Sequence, residues 1–380
     1  MSQALFSSFD IDKGTKLLLT VLLRQIDMTK LSSVLDLGCG VGVLGITLKR
    51  INPRLRLHFT DRDTLALDFT RLNCRLNNIN ANSIEGCLGL SGIEHKGYDL
   101  ILSNLPAKAG APVLISIFDQ YSGYLKRGGL FAFVIVKPLE EVAHTALVRS
   151  GAAIIHRQGT PDHTVFLAAK GKEIPPPQDE PQDGLLPYIR GRFNFQPALK
   201  DLSYSIDTVY NLPDFDNLGY QQLSAIALLA DNLSREQNIL IWNPGQGHLP
   251  VYLCRTMAEK RTKFTLAGRD LLALQITRRN LAAHGVADCL IESYHTSWLS
   301  QIPANYGLII LLPSPESRPV TVEMISTELP RLTEPDGEVV IAAKSALLQS
   351  ILKRSKGFQP KKRKKNHGYR AVLMVKKGKI

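Results

Sequence analysis

Two carboxylates flank a glycine loop in the first third of the chain, and their spacing suggests what they could hold. Gly38-Cys39-Gly40-Val41-Gly42 follows an apolar run carrying Asp36, and Asp61-Arg62 closes the next apolar run. Glycines there permit a tight turn and let a ligand approach the backbone where a Cβ would hold it off. A carboxylate at position 36 attracts a cationic group and repels a pyrophosphate. Asp61 can accept two hydrogen bonds from ribose hydroxyls. Together Asp36, Gly38, Cys39, Gly40, Gly42, Asp61 and Arg62 point to a positively charged nucleoside, which is S-adenosylmethionine (SAM) rather than a dinucleotide. Gly40 to Gly45 also spells GxGxxG, so a dinucleotide fold and a ligand-free relic stand as the other two readings.

A second constellation, Asn104-Leu105-Pro106-Ala107, comes directly after the apolar run Asp99-Leu100-Ile101-Leu102-Ser103. Here the sequence resembles the MTS ("methyltransferase small") family of class I SAM-dependent methyltransferases, typified by two-domain rRNA guanine-N2 enzymes. The resemblance takes in Phe6-Ser7, Asp12, Gly14-Thr15-Lys16-Leu17-Leu18-Leu19 and Gly128-Gly129. It implies that the Asn104 side-chain oxygen and the Leu105 carbonyl accept the two N–H bonds of an exocyclic base amine. Pro106 would shape that pocket, and Thr15 and Cys87 would stand among the cofactor contacts. A delocalised amine is a poor nucleophile, so holding it in line with the methyl–sulfur bond is what such a site must do. The chain departs from the family motif at Leu105, where a proline is usual, and at Ala107, where an aromatic stacks on the base. Such a stack is worth about 1–3 kcal/mol.

The elements that position these residues follow from the periodicity. Ser33–Leu37, Leu55–Thr60, Tyr98–Ser103, Phe131–Val136 and Thr164–Ala169 read as strands, with helices at 42–50 and 64–77 between them. Strands separated by helices imply right-handed βαβ crossovers and a mostly parallel sheet. The hairpin-like ending, 152–156 and then 164–169, adds one antiparallel strand near the end.

The pattern is written twice. Val34–Gly42 aligns with Ile239–Gly247, Arg62–Leu67 with Arg269–Leu274, Tyr98–Leu102 with Tyr306–Ile310, and Gly128-Gly129 with Asp336-Gly337. The expected architecture is therefore α/β, two tandem Rossmann-like methyltransferase domains. Residues 1–172 form the catalytic one, 173–202 a proline-rich linker around Pro175-Pro176-Pro177, and 203–380 a degenerate copy. In the copy Ile241 stands for Asp36, Gly268 for Asp61 and Leu312-Pro313 for Asn104-Leu105, so both carboxylates and the asparagine assigned to ligand are lost. In the two-domain rRNA enzymes the silent copy comes first; here it comes second.

Of a net charge of +12, residues 353–380 contribute twelve basic side chains and no acidic ones. Lys361, Lys362, Arg363, Lys364 and Lys365 read as a basic loop for RNA. The five cysteines are scattered without metal-ligand spacing, which suggests reduced thiols in a cytoplasmic protein and no metal. No apolar run reaches the roughly 18–20 residues of a membrane helix, and the first residues lack the pattern of a secretory leader. Guanine N2 of ribosomal or other structured RNA is the favoured acceptor. The rivals are a protein amide or small-molecule methyltransferase, and a non-catalytic RNA-binding or assembly protein on the same fold.

Overall fold

The computed structural model describes residues 11–172, 184–197, 202–230, 238–257, 262–314 and 319–377. Phe6, Ser7 and the core of the proline-rich stretch lie outside them. The chain divides into two units, residues 1–188 and 189–380.

In the first unit, α1 (Lys13–Gln25) precedes β1 (Ser33–Leu37), α2 (Val43–Ile51), β2 (Arg56–Asp61), α3 (Thr64–Leu76) and β3 (Ser83–Gly86). Then come β4 (Tyr98–Asn104), α4 (Ala111–Tyr124), β5 (Leu125–Val136), α5 (Glu140–Arg149), β6 (Ile154–Gly159) and β7 (His163–Ala169). The seven strands lie in the order β3-β2-β1-β4-β5-β7-β6. Only β7 runs against the others, since it is antiparallel to both β5 and β6. The order reverses between β1 and β4, and crevices at such switch points open at the carboxyl ends of the strands. The glycine loop leaves β1 at that end, and Asn104 is the last residue of β4. β1 is buried along its whole length, as a central parallel strand covered on both faces should be.

The second unit opens with a hairpin, β8 (Ile189–Phe195) against β9 (Tyr204–Val209). After α6 (Tyr220–Ala230) follow β10 (Asn238–Trp242), α7 (His248–Thr256), β11 (Lys263–Gly268), α8 (Leu271–Ala283) and β12 (Ile291–His295). The remainder is β13 (Tyr306–Leu311), α9 (Pro319–Leu332), β14 (Thr333–Lys344), α10 (Ser345–Arg354), β15 (Phe358–Asn366) and β16 (Tyr369–Lys376). Its sheet order, β12-β11-β10-β13-β14-β16-β15, repeats the first unit strand for strand.

Small details repeat too. A Cβ on Gly129 would stand 2.8 Å from the Tyr98 carbonyl, and one on Gly337 would stand 2.8 Å from that of Tyr306. Asp63 and Asp270 cap α3 and α8 through the amides of Leu65 and Leu272.

Two expectations change. The stretch read as linker is largely structured where it is described: Leu185 and Tyr188 are buried in the first unit, and residues 189–195 form β8. Lys361–Lys365 lie in β15 rather than in a loop. The turn His367-Gly368 has both φ angles positive, +40° and +84°, which suits a two-residue hairpin and folds β15 onto β16. As the edge strand, β15 tolerates a row of lysines that would be expelled from the sheet centre.

Candidate active site

The glycine loop has a left-handed backbone, with φ of +68° at Gly38, +56° at Gly40 and +84° at Gly42. These glycines do different jobs. A Cβ at Gly38 or Gly40 would meet nothing within 4 Å, so the space above them is open to a ligand. At Gly42 it would press on Ile46 and Thr70 at 3.1 Å, and at Gly45 it would stand 2.6 Å from the Phe59 ring. Gly42 and Gly45 therefore serve packing between loop, helix and sheet.

The loop is suspended from its neighbours. Asp61 at the end of β2 accepts from the amides of Gly40 and Asp63, both at 2.9 Å. From α3, the Thr70 hydroxyl donates to the Gly40 carbonyl at 2.9 Å and Asn73 Nδ2 to that of Val41 at 2.9 Å. Arg71 between them reaches the Ile84 carbonyl on β3 at 2.9 Å. Nothing in the motif reading singled out these three, yet Thr70-Arg71-Leu72-Asn73 recurs as Thr277-Arg278-Arg279-Asn280. The copies of Thr70 and Asn73 make the same bonds, Thr277 to Gly245 O and Asn280 to Gln246 O, and Arg278 likewise reaches a carbonyl on the edge strand, that of Ile291. That recurrence was the signal available in the sequence.

Asp36 is 1% exposed. One carboxylate oxygen accepts from the Gly45 amide at 2.8 Å, while Oδ1 is buried without a hydrogen-bond partner. Burial, and secondarily the charge of Asp61, pushes its pKa up to about 7. Burial likewise raises the Asp61 carboxyl above its usual range, against the amide bonds and the Arg62 charge that lower it. Two desolvated carboxylates under an open loop form a site short of positive charge. Cys39 is buried, with its thiol raised by burial first and by Asp61 and Asp36 after it. Cys87 follows β3 and donates its amide to the Asp61 carbonyl at 3.1 Å. Burial pushes the Cys87 thiol up to about 11, so it sits beside Asp61 as a neutral group.

β4 is pinned to β1 at this end by Ser103, whose hydroxyl donates to the Leu37 carbonyl at 2.8 Å. Next to it, Asn104 turns its amide nitrogen toward α1. Nδ2 donates to Asp12 Oδ2 at 3.0 Å and to Thr15 Oγ1 at 3.1 Å. The Thr15 hydroxyl donates to Asp12 Oδ2 and accepts from Asn104 Nδ2. Leu105 is buried and donates its amide to the Val134 carbonyl at 3.0 Å, whereas Pro106 and Ala107 are exposed. The structure thus gathers Asp36, Gly38, Cys39, Gly40, Gly42, Asp61, Arg62, Cys87, Thr15 and Asn104 at the carboxyl ends of β1, β2, β3 and β4.

In the second unit the corresponding crevice is filled by its own side chains. Ile241 lies in the core, and Asn243 occupies the place of Gly38 at φ +58° and bonds the Leu312 carbonyl at 3.3 Å. A Cβ on Gly245 would meet Gln222 at 2.9 Å, and one on Gly268 would meet Asn243 at 2.9 Å. Gln246 ties Val209 N–H to the carbonyls of Pro213 and Phe215. Among the described residues no group of His, Cys, Asp and Glu could hold a metal ion, and no helix is long and apolar enough to cross a membrane. The five lysines and arginines at 361–365 are far from this site in sequence and belong to the other unit.

Known proteins resemble this chain in part of its sequence and in its fold. Residues 1–150 match the model of the methyltransferase small domain family. The ribosomal RNA small subunit methyltransferase C of Hamiltonella defensa subsp. Acyrthosiphon pisum (strain 5AT) is 35% identical over 133 residues, 34% of this chain and 38% of that protein. Its namesake from Pseudomonas putida (strain W619) is 39% identical over 130 residues, 33% of this chain and 37% of that protein. The chain thus spans under two fifths of the length of these curated relatives. Over nearly its whole length it shares a fold with the T. thermophilus 16S rRNA N2 G1207 methyltransferase (RsmC) solved with AdoMet and guanosine. That match has a TM-score of 0.69 at 17% identity, covering 99% of this chain and 95% of the other.

Proposed function

We propose that the first unit transfers a methyl group from SAM to an exocyclic base amine of structured RNA, guanine N2 being the favoured acceptor. The second unit, on this reading, is a non-catalytic copy that contributes RNA contacts. The observation that carries it is a juxtaposition. An open glycine loop over two electron-rich carboxylates lies one strand away from an asparagine whose amide nitrogen is tied inward. Relatives matching about a third of the chain are named as rRNA methyltransferases, and the T. thermophilus enzyme of like fold was solved with AdoMet and guanosine. This supports the choice of cofactor and base.

The residues present suit SAM. Gly38 and Gly40 leave room above the loop, Asp61 keeps spare lone pairs for ribose hydroxyls, and the field of Asp36 and Asp61 attracts a cation. When bound, SAM supplies an electrophilic methyl group on a positively charged sulfur. Asn104 Oδ1 and the Leu105 carbonyl accept the two N–H bonds of the amine, aim its lone pair, and favour the pyramidal nitrogen of the transition state. No base is needed before transfer, because the methylated amine sheds its proton afterwards. A duplex target has to be flipped out to reach the site. Lys361–Lys365 would hold phosphates, and a cytoplasmic location would follow from an RNA of this kind.

The test is radiolabelled methyl transfer from SAM to total RNA of a deletion strain, followed by nucleoside analysis. N2-methylguanosine in wild-type reactions, and none with Asn104→Ala despite unchanged SAM binding, is the expected result. Label confined to protein or metabolites, or full turnover by Asn104→Ala, would overturn the proposal.

A further inference from the structure

The anchoring of Asn104 says more than that the residue is held. We infer that Asp12, with Thr15, fixes the Asn104 amide in one orientation and so restricts the acceptor to an atom that carries hydrogen. This deepens the function proposed above and rests on it.

An asparagine amide has a carbonyl end that only accepts and an NH2 end that only donates. The Asp12 carboxylate offers acceptors alone, and its Oδ1 is already engaged by the Gly14 amide at 2.8 Å. Thr15 has a single hydroxyl hydrogen, which it gives to Asp12 Oδ2 at 2.5 Å, so toward Asn104 it too can only accept. Both neighbours therefore demand the NH2 end, and the two N–H bonds are consumed at 3.0 and 3.1 Å. What Asn104 can offer a substrate is its carbonyl oxygen, which has no partner among the described residues. A site with only acceptors at the reacting centre favours an amine and disfavours a ring nitrogen or carbonyl oxygen that bears no hydrogen.

The device is stiff. Asp12 caps α1, so its rotamer is set by the helix start. Gly14 packs so closely on β7 that a Cβ there would stand 3.1 Å from the His163 ring. Asp12 is a positioning residue, acting through Asn104.

The test is Asp12→Asn in the full-length protein. Asparagine still caps the helix through its carbonyl oxygen, but it then presents NH2 to Asn104, which must turn its own carbonyl inward and offer donors to the substrate. With S-adenosylhomocysteine bound, affinities for guanosine and xanthosine are compared by calorimetry; xanthosine carries a carbonyl oxygen where guanosine has its amine. The wild type should prefer guanosine. Asp12→Asn should lose at least about tenfold of that preference and lower kcat by about 10- to 100-fold, with affinity for S-adenosylhomocysteine and the unfolding temperature unchanged. Thr15→Val, which removes the hydroxyl that accepts from Asn104, should lose part of the preference in the same direction. An active wild type whose Asp12→Asn variant keeps the guanosine preference would refute the inference alone. A wild type that binds neither nucleoside and methylates no RNA would refute the proposed function, and this inference with it.

Discussion

Asp36 occupies a costly position, a carboxylate removed from water with one oxygen unpaired and a second carboxylate nearby. Burial pushes its pKa up to about 7, so near neutrality the free protein can hold a proton there. A cationic ligand favours the ionised form, so binding SAM expels that proton and affinity rises with pH. Between pH 6 and 8 the dissociation constant should fall about tenfold. Titration calorimetry in buffers of different ionisation enthalpy should show proton release on binding. Asp36→Asn should bind weakly and independently of pH; a pH-independent wild type would contradict this account. The neighbouring glycines separate two effects by the same logic. Gly40→Ala adds a Cβ to open space at φ +56°, so it should weaken SAM binding and cost about 1–2 kcal/mol of stability. Gly45→Ala drives a Cβ against Phe59, a clash worth about 1–3 kcal/mol that should appear as a lower unfolding temperature.

At the scale of elements, the central strands and helices were readable because burial on both faces makes parallel strands into apolar runs. Ser33–Leu37 matches its strand residue for residue, and the helix read at 64–77 is α3 within one residue. The hairpin β8–β9 escaped notice because Arg190, Arg192 and Asn194 alternate with smaller and apolar neighbours on a half-exposed ribbon. β15 escaped for the opposite reason, since five consecutive basic residues resemble a loop whenever the register comes from a partner strand. The site was legible as glycines and carboxylates. The tether from α3 was signalled only by its recurrence in the second half, and the bonds among Asp12, Thr15 and Asn104 were not legible, since they join residues up to 92 positions apart. A buried histidine makes an element-scale prediction in the second unit. His248 at the start of α7 is held down to about 4 by burial, with its Nδ1 on the Tyr204 hydroxyl. Its contribution to stability is whole above the unfolded-state value near 6.5 and fades as pH falls toward 4. Amide exchange over α7, corrected for intrinsic rates, should therefore accelerate between pH 7 and 5; equal protection at both would count against it.

For the whole molecule, the charge is lodged in one place. Residues 353–380 carry twelve cations and no anions, and β15 displays five of them, of which Lys361 is 3.5 Å from Glu338. If those five neutralise phosphates of single-stranded RNA, log affinity should decline against log salt with a slope near −3.5 from this strand alone. Changing all five to glutamine should remove about that much of the slope, and an unaltered slope would place the RNA elsewhere. The duplication itself kept the scaffold and discarded the contacts: the Thr-Arg-x-Asn tether survives in both copies while the ligand crevice of the second is stoppered by Asn243 and Gln222. If the first unit binds SAM as proposed, that half of the chain gains rigidity from a metabolite and the other half does not. In a cell starved of methyl donor, nicks by proteases would accumulate in the amino-terminal half first, leaving the carboxyl-terminal half as the durable fragment.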